Sequence, residues 1–441
     1  MKRIAVVGGG PAGLTAAWRA SRAGAAVTLY EADAELGGRL RTDSLDGFRV
    51  DYAVQLLAST YATVFRLAEE AGVRDLLVRA PGRDALWRGG RPHALQYGSV
   101  ASLVASTALP ASLKLRMGVR YLPYLGSTAR GLDANDPART GGVALDVASV
   151  AEWGGSVLGR DFVELMAYPL LGAYYGAEPE QMSVALYHAL ARVGRSVEVY
   201  AAAGGMGEFA AALGEALAVA GCIVRAGERV DAVSADGNGA QVSAGGSVER
   251  YDACVVAVPG SAVADLITAP SQLAGWLASI RTVPALTLAL LIDAPLGLDF
   301  FGLSFPRESE VGDRLVAVCV ESAKGGGLVP ADKDLLVVYP APSRIGDLTM
   351  REPADIVDEL LPAVESVFPR IEGRVERARV YRIAGGHTLF YPGYLRHLAG
   401  YDPDWLPPRV ALAGEYLAAP TVEGAALSGA RAAARVLERS R

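Results

Sequence analysis

The chain has 441 residues, too many for one hydrophobic core of ordinary size, so at least two compact units are expected. Its 51% apolar and 20% charged content is that of a folded globular protein, and a formal net charge of -6 provides no basic footprint for nucleic acid. Cys222, Cys254 and Cys319 lie far apart, and neither they nor the 4 histidines show metal-ligand spacing, so no metal site is expected and the thiols are read as buried and inert.

In chain order, Ile4-Ala5-Val6-Val7 reads as a buried strand running into Gly8-Gly9-Gly10-Pro11-Ala12-Gly13. A helix follows through Ala16 to Ala23, Gly24 ends it, and Ala26 to Tyr30 has the make-up of a buried parallel strand that closes on Glu31. The chain enters this βαβ unit without a basic, apolar and cleavable leader, so a cytoplasmic protein is expected. From about residue 60 to 204 helical patterns dominate: Tyr61 to Ala71, Ser99 to Leu122 broken at Pro110, and Val147 to Leu158. Leu95 to Leu125 combines an apolar run with Lys114, Arg116, Arg120 and three tyrosines, which fits peripheral membrane contact or a helix buried under a substrate cavity.

Gly204-Gly205-Met206-Gly207 opens another helix. The strand-like runs Cys222 to Ala226 and Tyr251 to Pro259 then enclose hairpin turns at Asp236-Gly237-Asn238-Gly239 and Gly245-Gly246. Beyond residue 265, Ala285 to Ile292, Leu315 to Glu321 and Asp334 to Tyr339 alternate with the helix Pro353 to Phe368, the composition of a mixed-sheet domain. Val410 to Ala413 restores a buried strand at the end of the chain.

The chemistry lies in three glycine-rich stretches. Gly8-x-Gly10-x-x-Gly13 between strand and helix, with Pro11 and Ala12 at the helix start, is the dinucleotide fingerprint: small residues admit a pyrophosphate to the backbone, and the helix N-terminus faces its charge. Glu31, followed by Ala32, stands where a ribose would be bound. Leu36-Gly37-Gly38-Arg39 adds a second close approach and a guanidinium able to hold phosphate oxygens. At the far end Gly414-Glu415 and Thr421-Val422-Glu423-Gly424-Ala425 end a strand and open a helix whose N-terminus would stabilise charge on a reduced flavin. A cofactor clasped by both ends of the chain is expected, namely non-covalent FAD.

These stretches, with Gly47 to Asp51, the strand Val255 to Pro259 and the helical run Asp146 to Ser183, resemble the FAD enzymes that include protoporphyrinogen oxidases, flavin amine oxidases and phytoene-type desaturases. The pattern is most similar to the protoporphyrinogen oxidases. The resemblance implies an α/β fold: a Rossmann-type FAD-binding domain (1–88, 205–264 and 400–441), a mixed-sheet substrate domain (265–399) and a helical insertion (89–204). It also implies backbone contact of Val230 with adenine, Gln55 and Leu56 beside the isoalloxazine, and Glu415 at the ribityl chain. The segment before the C-terminal motif borders the substrate in this family, which nominates His387, Tyr391 and Tyr394, with Tyr175 from the helical region. Two branch features are missing. Amine oxidases place a lysine near the flavin N5 and two cage aromatics, but no lysine occurs between Lys114 and Lys324, and the cage positions fall on Leu389 and Thr421. Where several protoporphyrinogen oxidases hold a propionate-binding arginine, this chain has Asp84, with Arg83, Arg88 and Arg91 nearby. The expected activity is hydride removal from a bulky, largely apolar small molecule, with no catalytic base assigned. A redox-neutral isomerase or cyclase, an atypical amine oxidase and a non-catalytic flavoprotein stay open.

Overall fold

The computed structural model describes residues 1–81, 83–97, 99–193 and 197–439. A parallel five-stranded sheet runs in the order Ile223–Ala226, Ala26–Glu31, Arg3–Val7, Ala253–Val256, Val410–Leu412. The last strand pairs with residues 254 to 256, so the two ends of the chain meet in one sheet as the flanking motifs imply. Alternation sets the layers. Ile4, Val6, Val27 and Leu29 face the helices Pro11–Arg22, Met206–Val219 and Val422–Arg439, while Ala5, Val7 and Tyr30 face a three-stranded antiparallel sheet, Val230–Asp236, Gly239–Ala244 and Ser247–Tyr251. The first and last helices pack backbone to backbone, since a Cβ on Gly429 would lie 2.0 Å from the Ala12 carbonyl oxygen.

The second layer system is a seven-stranded mixed sheet: Val375–Thr388, Thr282–Ile292, Asp334–Pro340, Leu315–Val320, Gly302–Ser304, Asp84–Arg88, Arg91–Ala94. One face, with Leu288 and Leu290, packs on the helix Pro353–Val367, and the other, with Ala289 and Leu291, packs on Phe48 and Val50. Here the sequence reading needs correction. Residues up to 88 were expected with the nucleotide-binding sheet, but Asp84–Arg88 pairs in parallel with Gly302–Ser304 and carries Arg91–Ala94 with it into this sheet. A short strand has little periodicity of its own, and a pairing across more than two hundred residues leaves no local signature.

The helical region comprises Val100–Ala105, Ala111–Arg116, a π-helical turn Met117–Tyr121 and Leu122–Ser127, followed by Val150–Val157, Tyr168–Tyr175 and Val184–Val193. Pro110 stands in extended geometry between the first two, at the break its ring requires. Ser149 and Glu152 close a capping box on the helix Val150–Val157.

Candidate active site

The three glycine-rich stretches converge. A Cβ on Gly13 would lie 1.8 Å from the Gly8 oxygen, so only glycine lets the helix Pro11–Arg22 start this close to its strand. On the open side, a Cβ on Gly10 would meet nothing nearer than Gly38 Cα at 3.9 Å, and no side chain caps the helix. That leaves uncapped N–H groups facing free space between the first two motifs, a cradle that suits a pyrophosphate. Glu31 accepts from Gly9 N–H through Oε2 (2.6 Å) and from Asp33 N–H through Oε1 (2.9 Å), which fixes its carboxylate at the strand end with lone pairs to spare. Ala32 is exposed in the turn beyond it, and Gly227 and Glu228, just before Val230, donate their N–H groups to the oxygens of Asp33 and Glu31. Val230 is thereby brought beside the Glu31 turn.

Arg39 joins the N-terminal and C-terminal motifs directly. Its Nη2 lies 2.6 Å from Glu415 Oε2 and its Nη1 donates to the Gly386 oxygen at 2.5 Å, while Thr388 Oγ1 donates to Glu415 Oε1 at 3.0 Å. Burial raises the Glu415 carboxyl, but the Arg39 guanidinium, its own N–H and the Thr388 hydroxyl together hold it below the usual range. His387 lies beside this pair, and burial, reinforced by Arg39 and opposed by Glu415, pushes its imidazole down to about 4, so the ring is neutral at physiological pH.

Pro11, Arg39, Gln55, Leu56, Tyr175, His387, Glu415 and Val422 line a cavity of about 210 Å³. It shares Leu56, Tyr61, Asp84, Tyr97, Tyr174, Tyr175, Phe301 and Thr421 with a second cavity of about 530 Å³, roofed by Leu103, Met117, Tyr121 and Leu125 of the helical region. The Tyr175 and His387 rings stand edge to face at 6.2 Å on the wall of the first cavity.

Behind Gln55 lies a fully buried charge cluster. Lys324 Nζ donates to Asp51 Oδ2 (2.8 Å) and Gln55 Oε1 (2.6 Å) and forms an ion pair with Glu321 Oε2 at 2.8 Å, while Gln55 Nε2 donates to the Asp51 oxygen. Asp51 Oδ1 accepts from Thr42 Oγ1 and from Met206 N–H, at the start of the helix Met206–Val219. The side-chain amide of Gln55 is thus fixed from both ends, by Asp51 on the strand Phe48–Asp51 and by Lys324 after the turn Glu321–Ala323.

Other expected site residues lie elsewhere. Glu423 turns away from both cavities and accepts from Thr63 and Val64 N–H at 2.8 and 3.0 Å, capping the helix Ala62–Glu70. Tyr394 is fully buried with its hydroxyl on the Tyr416 oxygen, and Tyr391 donates to the Ser279 oxygen under Arg281. Neither tyrosine lines either of these two cavities; both pack on the core around Tyr416 and Ile280. Of the two cage positions, Thr421 lines both cavities and Leu389 is buried in the core. His93 and His188 bond Thr107 and Tyr121, and His397 stacks on Trp276. Sequence reasoning missed Lys324, Tyr339 and Phe301, whose neighbours in the chain give no motif, and it did not single out Tyr97 and Tyr174 within the segments it nominated.

Asp84 stands on the shared wall, and burial pushes its carboxyl from 3.8 up to about 6, with only the Gly302 N–H opposing. A carboxyl whose folded value is raised holds its proton longer in the folded state, so it subtracts stability as pH rises from 3.8 to about 6. Asp84→Asn is expected to melt above the wild type at neutral pH and level with it at acid pH, as thermal denaturation across that window will read. A wild-type advantage at neutral pH would contradict the placement.

The family model for flavin-containing amine oxidoreductases matches residues 11–437. The chain is similar to coproporphyrinogen III oxidase of Propionibacterium freudenreichii, 31% identical over 189 residues, which cover 41% of this chain and 33% of that protein. It is also similar to protoporphyrinogen oxidase 2 of Arabidopsis thaliana, 26% identical over 185 residues, 42% and 34% of the two chains. The matched stretch thus spans about a third of the length of these relatives. The fold is that of cyclohexylamine oxidase from Brevibacterium oxydans, with a TM-score of 0.77 at 18% identity and 99% of both chains covered. With the glycine turns, the Arg39–Glu415 link and the mixed sheet in one architecture, the chain belongs to the flavin-containing amine oxidoreductase family.

Proposed function

We propose that the protein is an FAD-dependent oxidoreductase, holding FAD non-covalently and removing hydride from a carbon of a bulky, largely apolar small molecule. The observation that carries this reading is the pair of joined cavities: one end is walled by Pro11, Arg39, Glu415 and Val422, the other by apolar and tyrosine side chains of the helical region. When bound, the flavin supplies the hydride acceptor. In this reading Gly8, Gly10, Ala12, Gly13 and Gly38 give the pyrophosphate its backbone approach, and Arg39 offsets its charge. Glu31 and Ala32 hold the ribose, Val230 the adenine, and Gln55, Leu56, Gly414, Glu415 and Val422 flank the ring and its chain. Tyr175 and the neutral His387 border the substrate, and the tyrosine-rich walls exclude water from it.

Anaerobic mixing of the yellow protein with porphyrinogens, polyenes and amines tests this directly. Bleaching of the flavin band by an apolar member of the panel is the expected result. Consumption of a substrate with the band unchanged, and without oxygen uptake, would contradict it and select a redox-neutral isomerase.

The same helical roof supports peripheral membrane contact. Its inner face lines the second cavity, while Val104, Leu115 and Val119 on its outer face are each about two-thirds exposed. Among the described residues no helix is long and apolar enough to cross a membrane. Flotation with anionic liposomes at low salt should carry the protein upward, and replacing the three side chains by serine should leave it at the bottom. Wild-type protein that stays in the soluble fraction would contradict this contact.

A further inference from the structure

Asp84 is held in place on the wall shared by the two cavities. Its strand partner Gly302 leaves room for the carboxylate, since a Cβ there would lie 2.7 Å from Oδ1, and the Gly302 N–H donates to it. Among the described residues no cation pairs with Asp84. Arg83 points outward to Asp299 at 3.5 Å, Arg88 donates to the Ala108 oxygen, and Arg91 is exposed. Arg39 is taken by Glu415 and Gly386, and Arg130 and Arg192 line only the part of the second cavity that the first does not share. What surrounds the carboxylate is aromatic: Tyr97, Tyr174 and Tyr175 line the same wall, and Tyr174 bares 54% of its surface there. An uncompensated carboxylate in such a place is costly unless its partner arrives with the ligand, and phenol faces favour a cation over an anion.

We propose that this throat is a cation-binding subsite in which Asp84, flanked by Tyr97, Tyr174 and Tyr175, holds an ammonium group of the substrate as a recognition handle. The inference rests on the oxidoreductase reading above and narrows its substrate to apolar molecules that carry a basic nitrogen. The nitrogen at Asp84 is not the one next to the oxidised carbon: the carboxylate stabilises the protonated form, whose lone pair is unavailable, whereas oxidation beside nitrogen draws on the free amine. The reacting carbon therefore belongs to another part of the molecule, on the side of the first cavity. A propionate at the same point would meet like charge.

The test uses the FAD-loaded protein near pH 8, where Asp84 is ionised and an alkylamine is protonated. Calorimetric titration with n-octylamine and with n-octanol should show the ammonium binding about tenfold or more tighter than the alcohol. Asp84→Asn should bring the two within about twofold, with alcohol affinity and FAD content unchanged, and Asp84→Glu should keep the preference. Ammonium binding no tighter than alcohol in the wild type, or a preference that survives Asp84→Asn, overturns the subsite. Protein that purifies without FAD and fails to take it up overturns the oxidoreductase reading instead, a result read from the spectrum and not from the titration.

Discussion

Lys324→Met is expected to destabilise the folded protein by about 3–5 kcal/mol, the cost of removing one partner from a buried ion cluster. Lys324, Asp51 and Glu321 are all inaccessible to solvent, and the ammonium donates to Asp51 and Gln55 and pairs with Glu321. Burial alone would strip the proton from this lysine, but Glu321 and Asp51 outweigh it and raise its affinity for the proton. Without the ammonium two carboxylates remain in a dry interior, and the loop Tyr52 to Leu56 loses its tie to the turn Glu321–Ala323 of the mixed sheet. The Lys324→Met, Asp51→Asn double variant should recover part of the loss, because one unpaired charge goes with the pair. Denaturant unfolding of the three proteins measures this. A single-variant loss below about 1 kcal/mol, typical of an exposed pair, would contradict the buried cluster.

Arg39→Ala is expected to weaken FAD retention by about 1.5–3 kcal/mol, roughly ten- to a hundredfold in Kd, while the apoprotein stays folded. The guanidinium does two things in this structure. It lines the first cavity beside Pro11, and it pairs with Glu415, whose side chain is only 9% exposed. In the proposed reading its loss takes a cation from the pyrophosphate and leaves Glu415 without its partner at the ribityl chain, so both changes would act against a dinucleotide. Fluorescence titration of the apoprotein reads the affinity, and an unchanged Kd would contradict the assignment of Arg39.

The glycine turns were legible in the sequence because at Gly13 and Gly38 the backbone packs too closely for a larger residue. Gly13 has a carbonyl oxygen where any Cβ would go, and Gly38 comes so near Gly10 that its Cβ would lie 3.2 Å from Gly10 Cα. The return of Val410–Leu412 to the first sheet was legible for a similar reason: a buried run with small residues after it has few places to pair. The far side of the site was less accessible. Asp84 was notable only as a carboxylate in an arginine's place, and its strand joins the mixed sheet through Gly302–Ser304, which nothing near residue 84 announces. Aromatic residues close to a cofactor motif look like cavity residues, yet the hydroxyls of Tyr391 and Tyr394 are spent on backbone oxygens of the core. Glu423 was read with the flavin motif because it adjoins Val422, but successive positions at a helix start diverge by about 100°, and its carboxylate goes to a neighbouring helix. Lys324 follows Ser322 and Ala323 and precedes glycine, a context that reads as a surface turn, and only the tertiary fold surrounds it with carboxylates.

The central claim is that both ends of this chain clasp one FAD without a covalent bond. Acid precipitation of the purified protein tests it most directly. The account predicts a yellow protein that releases FAD into the supernatant in amounts equimolar with the chain. Colour held in the pellet, or a colourless protein that takes up no FAD, would contradict it.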